Sequence, residues 1–174
     1  MKGLIHIYEG DGKGKTTAAI GLAVRCAGSG GKVLLTQFLK SNQSSEMNIL
    51  KQIAFIEVVL SEADFGFSWN MSDETKDRAR VANDKLLLKV MDQAKSGEYR
   101  LLILDEIVDA YNLKLIHQEM LIEFLKDKPE ELEVVMTGRN PAIELVELAD
   151  YISDMRKIKH PYDQGTKARK GIES

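Results

Sequence analysis

Hydrophobic positions along this chain fall into two rhythms. Short, apolar-rich runs at 4–8, 32–39, 54–60, 101–104 and 132–137, bounded by glycines or polar clusters, predict strands, and a last strand, more mixed in polarity, is expected near 151–158. Between them the spacing changes to the helical one, and residues 16–26, 72–95, 115–125 and 141–149 predict helices. Punctuation supports these bounds. Gly28, Gly30 and Gly31 stop the first helix, Ser72 caps the second with Asp73 and Glu74 in its first turn, and Asn140-Pro141 opens the last. Residues 41–46 read as a polar loop, and 160–174 as a polar tail without periodicity. Strands that alternate with helices, and that are apolar on both faces, predict an α/β fold. Its expected form has three layers: a mainly parallel sheet with helices on both faces.

The turn between the first strand and the first helix is the most informative segment. It runs Glu9-Gly10-Asp11-Gly12-Lys13-Gly14-Lys15-Thr16-Thr17 and resembles the P-loop, in which backbone N–H groups and a helix N-terminus wrap phosphate oxygens. The glycines allow positive φ and close approach to an anion, Lys15 adds a mobile positive charge, and the Thr16 hydroxyl can ligate Mg²⁺. The general pattern has a glycine five residues before Gly14, where this chain has Glu9, so the loop is one residue short. A glycine-rich turn with a capping threonine is the plain alternative, and the strand–loop–helix context favours the phosphate loop. The expected second component is a carboxylate at the end of a buried strand. Asp105-Glu106, directly after Leu101-Leu-Ile-Leu, supplies it and marks Thr16, Asp105 and Glu106 as the candidate Mg²⁺ ligands.

Length and charge narrow the partners. At 174 residues, 44% of them hydrophobic, the chain suits one domain over 1–174, with the polar tail beginning near 160. Its net charge of −3 comes from intermixed signs rather than runs, so neither a nucleic-acid groove nor a membrane patch is expected. There is no apolar stretch long enough for a signal peptide or a bilayer span, and the expectation is a soluble, unprocessed, cytoplasmic protein. The single cysteine, Cys26, lies on the apolar side of a predicted helix and reads as a core residue. His6, His117 and His160 are too scattered for a metal site.

Three aromatics crowd one loop, Asp64-Phe65-Gly66-Phe67-Ser68-Trp69, which reads either as a hydrophobic plug or as a flat apolar ligand face. With this segment the chain resembles the ATP:corrinoid adenosyltransferases built on a RecA-like P-loop nucleotide-binding fold. The resemblance covers nearly the whole chain. It rests on the shortened loop Gly10 to Thr17, Gln37-Phe-Leu-Lys40, Gly66-Phe-Ser-Trp69, Leu104-Asp-Glu106, Thr137-Gly-Arg139, and the tail Lys159-His-Pro-Tyr-Asp163 with Lys167-Ala-Arg-Lys-Gly-Ile172. Ser41-Asn-Gln-Ser-Ser-Glu46 departs from the glycine-containing version of that loop in the family.

The resemblance implies that the 5′-deoxyadenosyl group of ATP is transferred to the Co(I) centre of cobalamin or a precursor, with release of triphosphate. It also implies a nucleotide in the reverse of the ordinary P-loop orientation. Lys15 and Thr16, with Gly10, Asp11, Gly12, Lys13, Gly14 and Thr17, would hold the triphosphate, and Glu106 with Asp105 would complete the Mg²⁺ site. Phe67 and Trp69 would pack on the lower corrin face, and Arg139 could stabilise the departing phosphates. A homodimer and a flavoprotein that supplies the electron are implied as partners. Lys159, Lys167, Arg169 and Lys170 read either as a solvated basic tail or as a border to the corrinoid or reductase. Two rival classes use the same loop: a P-loop kinase or ATPase, and a nucleotide switch or nucleic-acid motor, the latter disfavoured by the acidic balance.

Overall fold

The computed structural model describes residues 2–39, 45–61, 72–169 and 171–172. Among the described residues six strands form one sheet: β1 (Ile5–Glu9), β2 (Val33–Gln37), β3 (Ile56–Val59), β4 (Leu101–Asp105), β5 (Glu133–Thr137) and β6 (Tyr151–Asp154). They lie in the order β3-β2-β4-β5-β1-β6, and each neighbouring pair is parallel. The helices are α1 (Lys15–Gly28), α2 (Ser45–Leu50), α3 (Asp73–Ala94), α4 (Ile107–Asn112), α5 (Gln118–Lys126) and α6 (Ile143–Leu148).

The inner strands β2, β4 and β5 read as nearly continuous apolar runs because alternate residues enter two different cores. Val33, Leu35, Leu101, Ile103 and Val135 pack with Ala19, Ala23 and Ala27 of α1 and with Met47 and Leu50 of α2. Leu34, Leu102, Leu104, Val134 and Met136 face the other way, onto Leu87 and Val90 of α3, Ile107 of α4, Phe124 of α5 and Leu145 of α6. A period of two that is apolar on both faces is what a sheet covered by helices on both sides requires. The three alanines of α1, four residues apart, form its buried face and bring its axis close to the sheet. Among the described residues, no helix is long and apolar enough to cross a membrane.

The predicted elements are present, and the differences have local causes. The strand expected from 54 is delayed to Ile56, because Phe55 takes a left-handed φ of 68° while its carbonyl accepts the Val33 N–H at 2.7 Å. The strand expected over 151–158 ends at Asp154: it pairs with β1 at the edge of the sheet, and the chain beyond it turns onto the glycine loop. Two short helices have no counterpart in the predicted pattern: α2 begins at Ser45 within the expected loop 41–46, whose first four residues lie outside the described ones. The other, α4, has six residues, too few to display a helical period. The helix expected from 115 begins at Gln118, because the Leu115 N–H closes α4 on the Ala110 carbonyl. In the tail, Pro161–Gln164 forms one 3₁₀ turn, capped by His160 Nδ1 accepting the Tyr162 N–H at 3.2 Å.

Leu102 is fully buried between the sheet and the α3 side of the core. Leu102→Ala should destabilise the protein by about 2–5 kcal/mol, lowering the urea midpoint with an unchanged slope, whereas Leu88→Ala on the exposed face of α3 should change stability by less than about 0.5 kcal/mol.

Candidate nucleotide site

The C-terminal ends of β1, β4 and β5 lie side by side, which brings the loops after Glu9, Asp105 and Thr137 to one edge of the sheet. This is the position where open parallel sheets bind ligands. The first loop turns sharply at Gly10, with φ 116°, and at Gly14, with φ 125°, and enters α1 with Gly14 as its N-cap. No side chain caps that helix and no acidic residue occupies its first turn, so its leading N–H dipoles carry positive potential toward the loop.

Lys15 folds back over this loop. Its Nζ donates to the carbonyls of Gly10 at 2.6 Å and Gly12 at 2.9 Å, and the side chain is almost wholly buried. Burial, followed by the nearby Arg139 guanidinium, lowers its pKa from the usual lysine value, while the carboxylates of Glu106, Asp109 and Asp11 act in the opposite direction. The loop therefore sets a buried ammonium beside a helix N-terminus, with a second cation close enough to act on that ammonium. Such a grouping of positive charge suits a polyanion.

Below the lysine, the Asp105 carboxylate is 1% exposed and joins three segments. Thr16 Oγ1 donates to its Oδ1 at 2.8 Å, Thr137 Oγ1 donates to the same oxygen at 2.6 Å, and Gln37 Nε2 donates to Oδ2 at 2.7 Å. Glu106, the next residue, has a left-handed φ of 61° and its N–H donates to Thr137 Oγ1 at 2.9 Å. Such a conformation is disfavoured for a residue with a Cβ and persists where neighbours fix it. It turns the chain directly from β4 into α4.

Of the residues the sequence nominated, Lys15, Thr16 and Asp105 meet at the loop, with the charges of Glu106 and Arg139 acting on Lys15. Arg139 is exposed, on the turn after β5. Asp11 and Gly12 are engaged elsewhere: the Gly12 N–H donates to the Met155 carbonyl at 2.6 Å, and Asp11 Oδ1 accepts the Lys157 N–H at 2.9 Å. That backbone bond lowers the Asp11 pKa. Lys13 and Thr17 are exposed beside Gly14. Phe67, Trp69, Lys40 and Lys170 lie outside the described residues. Lys159, Lys167 and Arg169 are exposed in the tail.

The histidines stand apart from this edge. His6 Nε2 lies 3.0 Å from Glu133 Oε2, His117 lies 3.3 Å from Glu119, and His160 caps the 3₁₀ turn. Among the described residues no group of three or more His, Cys, Asp or Glu side chains could hold a metal ion on its own. Cys26 is half-buried, and burial raises its thiol pKa. Sequence periodicity did not single out Asp109, Asn112, Met155 or Lys157, all of which bear on the site. No motif marks them, because they come from a short helix and an edge extension that approach the loops only in the fold.

A glycine loop on a helix N-terminus, a buried lysine and a strand-end carboxylate, at the C-terminal edge of a parallel sheet, define a P-loop nucleotide-binding α/β protein. The fold is shared with EssC (ATPases 2 and 3) from Geobacillus thermodenitrificans, at TM-score 0.55 and 18% identity over 98% of this chain and 35% of that one. It is shared too with a KaiC-like protein from Pyrococcus horikoshii, at TM-score 0.51 and 14% identity over 88% of this chain and 73% of that one. Residues 1–174 match the family described as ATP:corrinoid adenosyltransferase BtuR/CobO/CobP, and the chain belongs to that family. Similar relatives are the corrinoid adenosyltransferases of Escherichia coli K12, 32% identical over 99% of this chain and 86% of that protein, and of a Sinorhizobium species, 34% identical over 99% and 80%. The corrinoid adenosyltransferase CobA of Salmonella typhimurium is 32% identical over 99% and 86%.

Thr137 connects both strand-end acids to β5, donating to Asp105 and accepting from Glu106. Thr137→Val keeps the shape and removes both bonds. It should cost about 1–3 kcal/mol, read as a lowered melting temperature.

Proposed function

We propose that this protein transfers the 5′-deoxyadenosyl group of ATP to the Co(I) centre of cobalamin or a cobalamin precursor, in adenosylcobalamin synthesis or salvage. The observation that carries this reading is the family match over residues 1–174 of a chain whose glycine loop sets a buried lysine ammonium, within reach of the Arg139 charge, at a helix N-terminus. A bond forms between cobalt and C5′, the C5′–O bond breaks, and triphosphate leaves with the electron pair. Co(I) is already a strong nucleophile, so no residue need remove a proton, and none of the three histidines is required.

What remains for the chain is to hold, align and exclude water. The leading N–H groups of α1 and Lys15 Nζ bind the triphosphate, Lys15 exchanging the Gly10 and Gly12 carbonyls for phosphate oxygens. Arg139 stabilises the charge that develops on the leaving group. Thr16 and Asp105 offer hard oxygen donors beneath the loop, a set that fits Mg²⁺ when phosphates and water complete the coordination, with Glu106 as the adjacent acid. Bound there, Mg²⁺ would neutralise phosphate charge. Phe67 and Trp69 remain the proposed corrinoid contacts, carried by the sequence resemblance. A homodimer, a flavoprotein electron donor and a cytoplasmic setting complete the proposal on the same ground.

The test is an anaerobic reaction of the protein with MgATP and chemically reduced cob(I)alamin. Adenosylcobalamin and triphosphate are the expected products; ADP and phosphate without corrinoid product would instead establish the kinase or ATPase reading. Lys15→Ala should lower turnover on the order of 100-fold or more.

The lysine also sets a pH dependence. Its pKa is lowered in the free protein, and a bound triphosphate raises it, so ATP binding takes up a proton at pH values between the two. ATP affinity should therefore fall as pH rises through the lowered Lys15 pKa. Calorimetry in two buffers of different ionisation enthalpy should reveal the proton uptake, which Lys15→Met should abolish.

A further inference from the structure

The turn that carries Arg139 is gripped from α4. Asp109 Oδ2 accepts the Arg139 N–H at 3.1 Å, and Asn112 Nδ2 donates to the carbonyls of Arg139 at 3.0 Å and of Asn140 at 2.9 Å. Asp109 and Asn112 are three residues apart and so share one face of the helix. Between them they fix both polar groups of the Arg139 backbone, although Arg139 is exposed and water could satisfy those groups.

The turn also has a backbone shape that demands particular residues. Gly138 has φ 151° and Asn140 has φ 48°, and a Cβ on Gly138 would lie 2.5 Å from Asp109 Oδ2 and 2.6 Å from Val108 Cβ. The turn therefore lies directly against the first turns of α4, in a shape that most residues would relax. The same helix is attached to β5 at its start, where the Glu106 N–H donates to Thr137 Oγ1. One six-residue helix thus joins the strand-end acid to the arginine turn, and the Arg139 charge is felt at Lys15.

We propose that Asp109 and Asn112 are positioning residues that hold the Arg139 backbone so that its guanidinium stands beside Lys15 at the triphosphate end of the site. This rests on the reading of Arg139 as a phosphate contact given above. Neither side chain touches substrate in this account. They act by removing the freedom of an exposed arginine, whose long side chain would otherwise sample many directions.

The experiment is steady-state adenosylation of cob(I)alamin by the full chain, comparing Asn112→Asp, Asp109→Ala, Asp109→Asn, Arg139→Ala and the double variant Asn112→Asp/Arg139→Ala. Asn112→Asp preserves size and removes the donor. It should lower kcat on the order of 10- to 100-fold with KM for cob(I)alamin changed less than roughly twofold, and should have no further effect when Arg139 is already alanine. Asp109→Ala should behave in the same way, and Asp109→Asn, which keeps an acceptor for the Arg139 N–H, should recover most of the loss. A fall in kcat for Arg139→Ala but not for Asn112→Asp or Asp109→Ala overturns the clamp and leaves the arginine's phosphate role standing. Unchanged kcat in Arg139→Ala overturns that role, and the clamp with it. Losses that multiply independently in the double variant also overturn the clamp. If Asn112→Asp melts below the assay temperature, the Asp109→Ala and Asp109→Asn pair decides between the same outcomes.

Discussion

A carboxylate buried to 1% exposure would be costly to keep without partners, and Asp105 draws them from different parts of the chain. Thr16 reaches it from the start of α1, Thr137 from the end of β5 and Gln37 from the end of β2. These segments are far apart in sequence, yet the one side chain fixes their ends relative to each other. The phosphate loop depends on this bracing, because Thr16 is the second residue of α1 and its hydroxyl sets how the helix N-terminus stands over the sheet. The strand-end acids depend on it too, since Thr137 carries both the Asp105 bond and the Glu106 N–H that stabilises a left-handed residue.

The loop above is braced from its other side by the extension of β6. Met155 accepts from the Gly12 N–H and donates its own N–H to the Glu9 carbonyl, and a Cβ on either Gly10 or Gly12 would collide with the Met155 carbonyl. Both glycines are thus demanded by the close approach of another backbone as much as by phosphate. Asp11 extends the brace by accepting the Lys157 N–H, and Lys157 Nζ in turn pairs with Asp163 at 3.1 Å. Through these contacts the start of the polar tail is attached to the loop. A loop one residue shorter than the general pattern is compatible with this arrangement, in which part of its backbone bonds to protein and the cradle is left to the residues nearest α1.

Catalysis of the proposed kind needs little chemistry from side chains and much geometry. The cobalt nucleophile needs no deprotonation, and the leaving group is a polyanion, so the contribution asked of the protein is electrostatic and positional. Residues that touch no substrate therefore matter in proportion to how well they fix those that do. Asp109 and Asn112 of α4 are of that type, and Asp105 adds bracing to its proposed place beside Mg²⁺.

The alternation of apolar runs with helical spacing determined the α/β class, because a strand covered on both faces has no polar period to show. The glycine loop with Lys15 and Thr16, and the acid pair after Leu104, were legible because phosphate binding needs those residue types at fixed local spacing. Sequence could not reveal α4, whose six residues are too few to show a period, nor the strand order β3-β2-β4-β5-β1-β6, which follows from crossovers. Nor could it show that Asp11 faces Lys157 rather than the open side of the loop, or that Asp109 and Asn112 grip Arg139 about thirty residues away. Local spacing specifies chemistry that one turn of chain can complete; contacts between distant segments are decided only when the sheet brings their ends together.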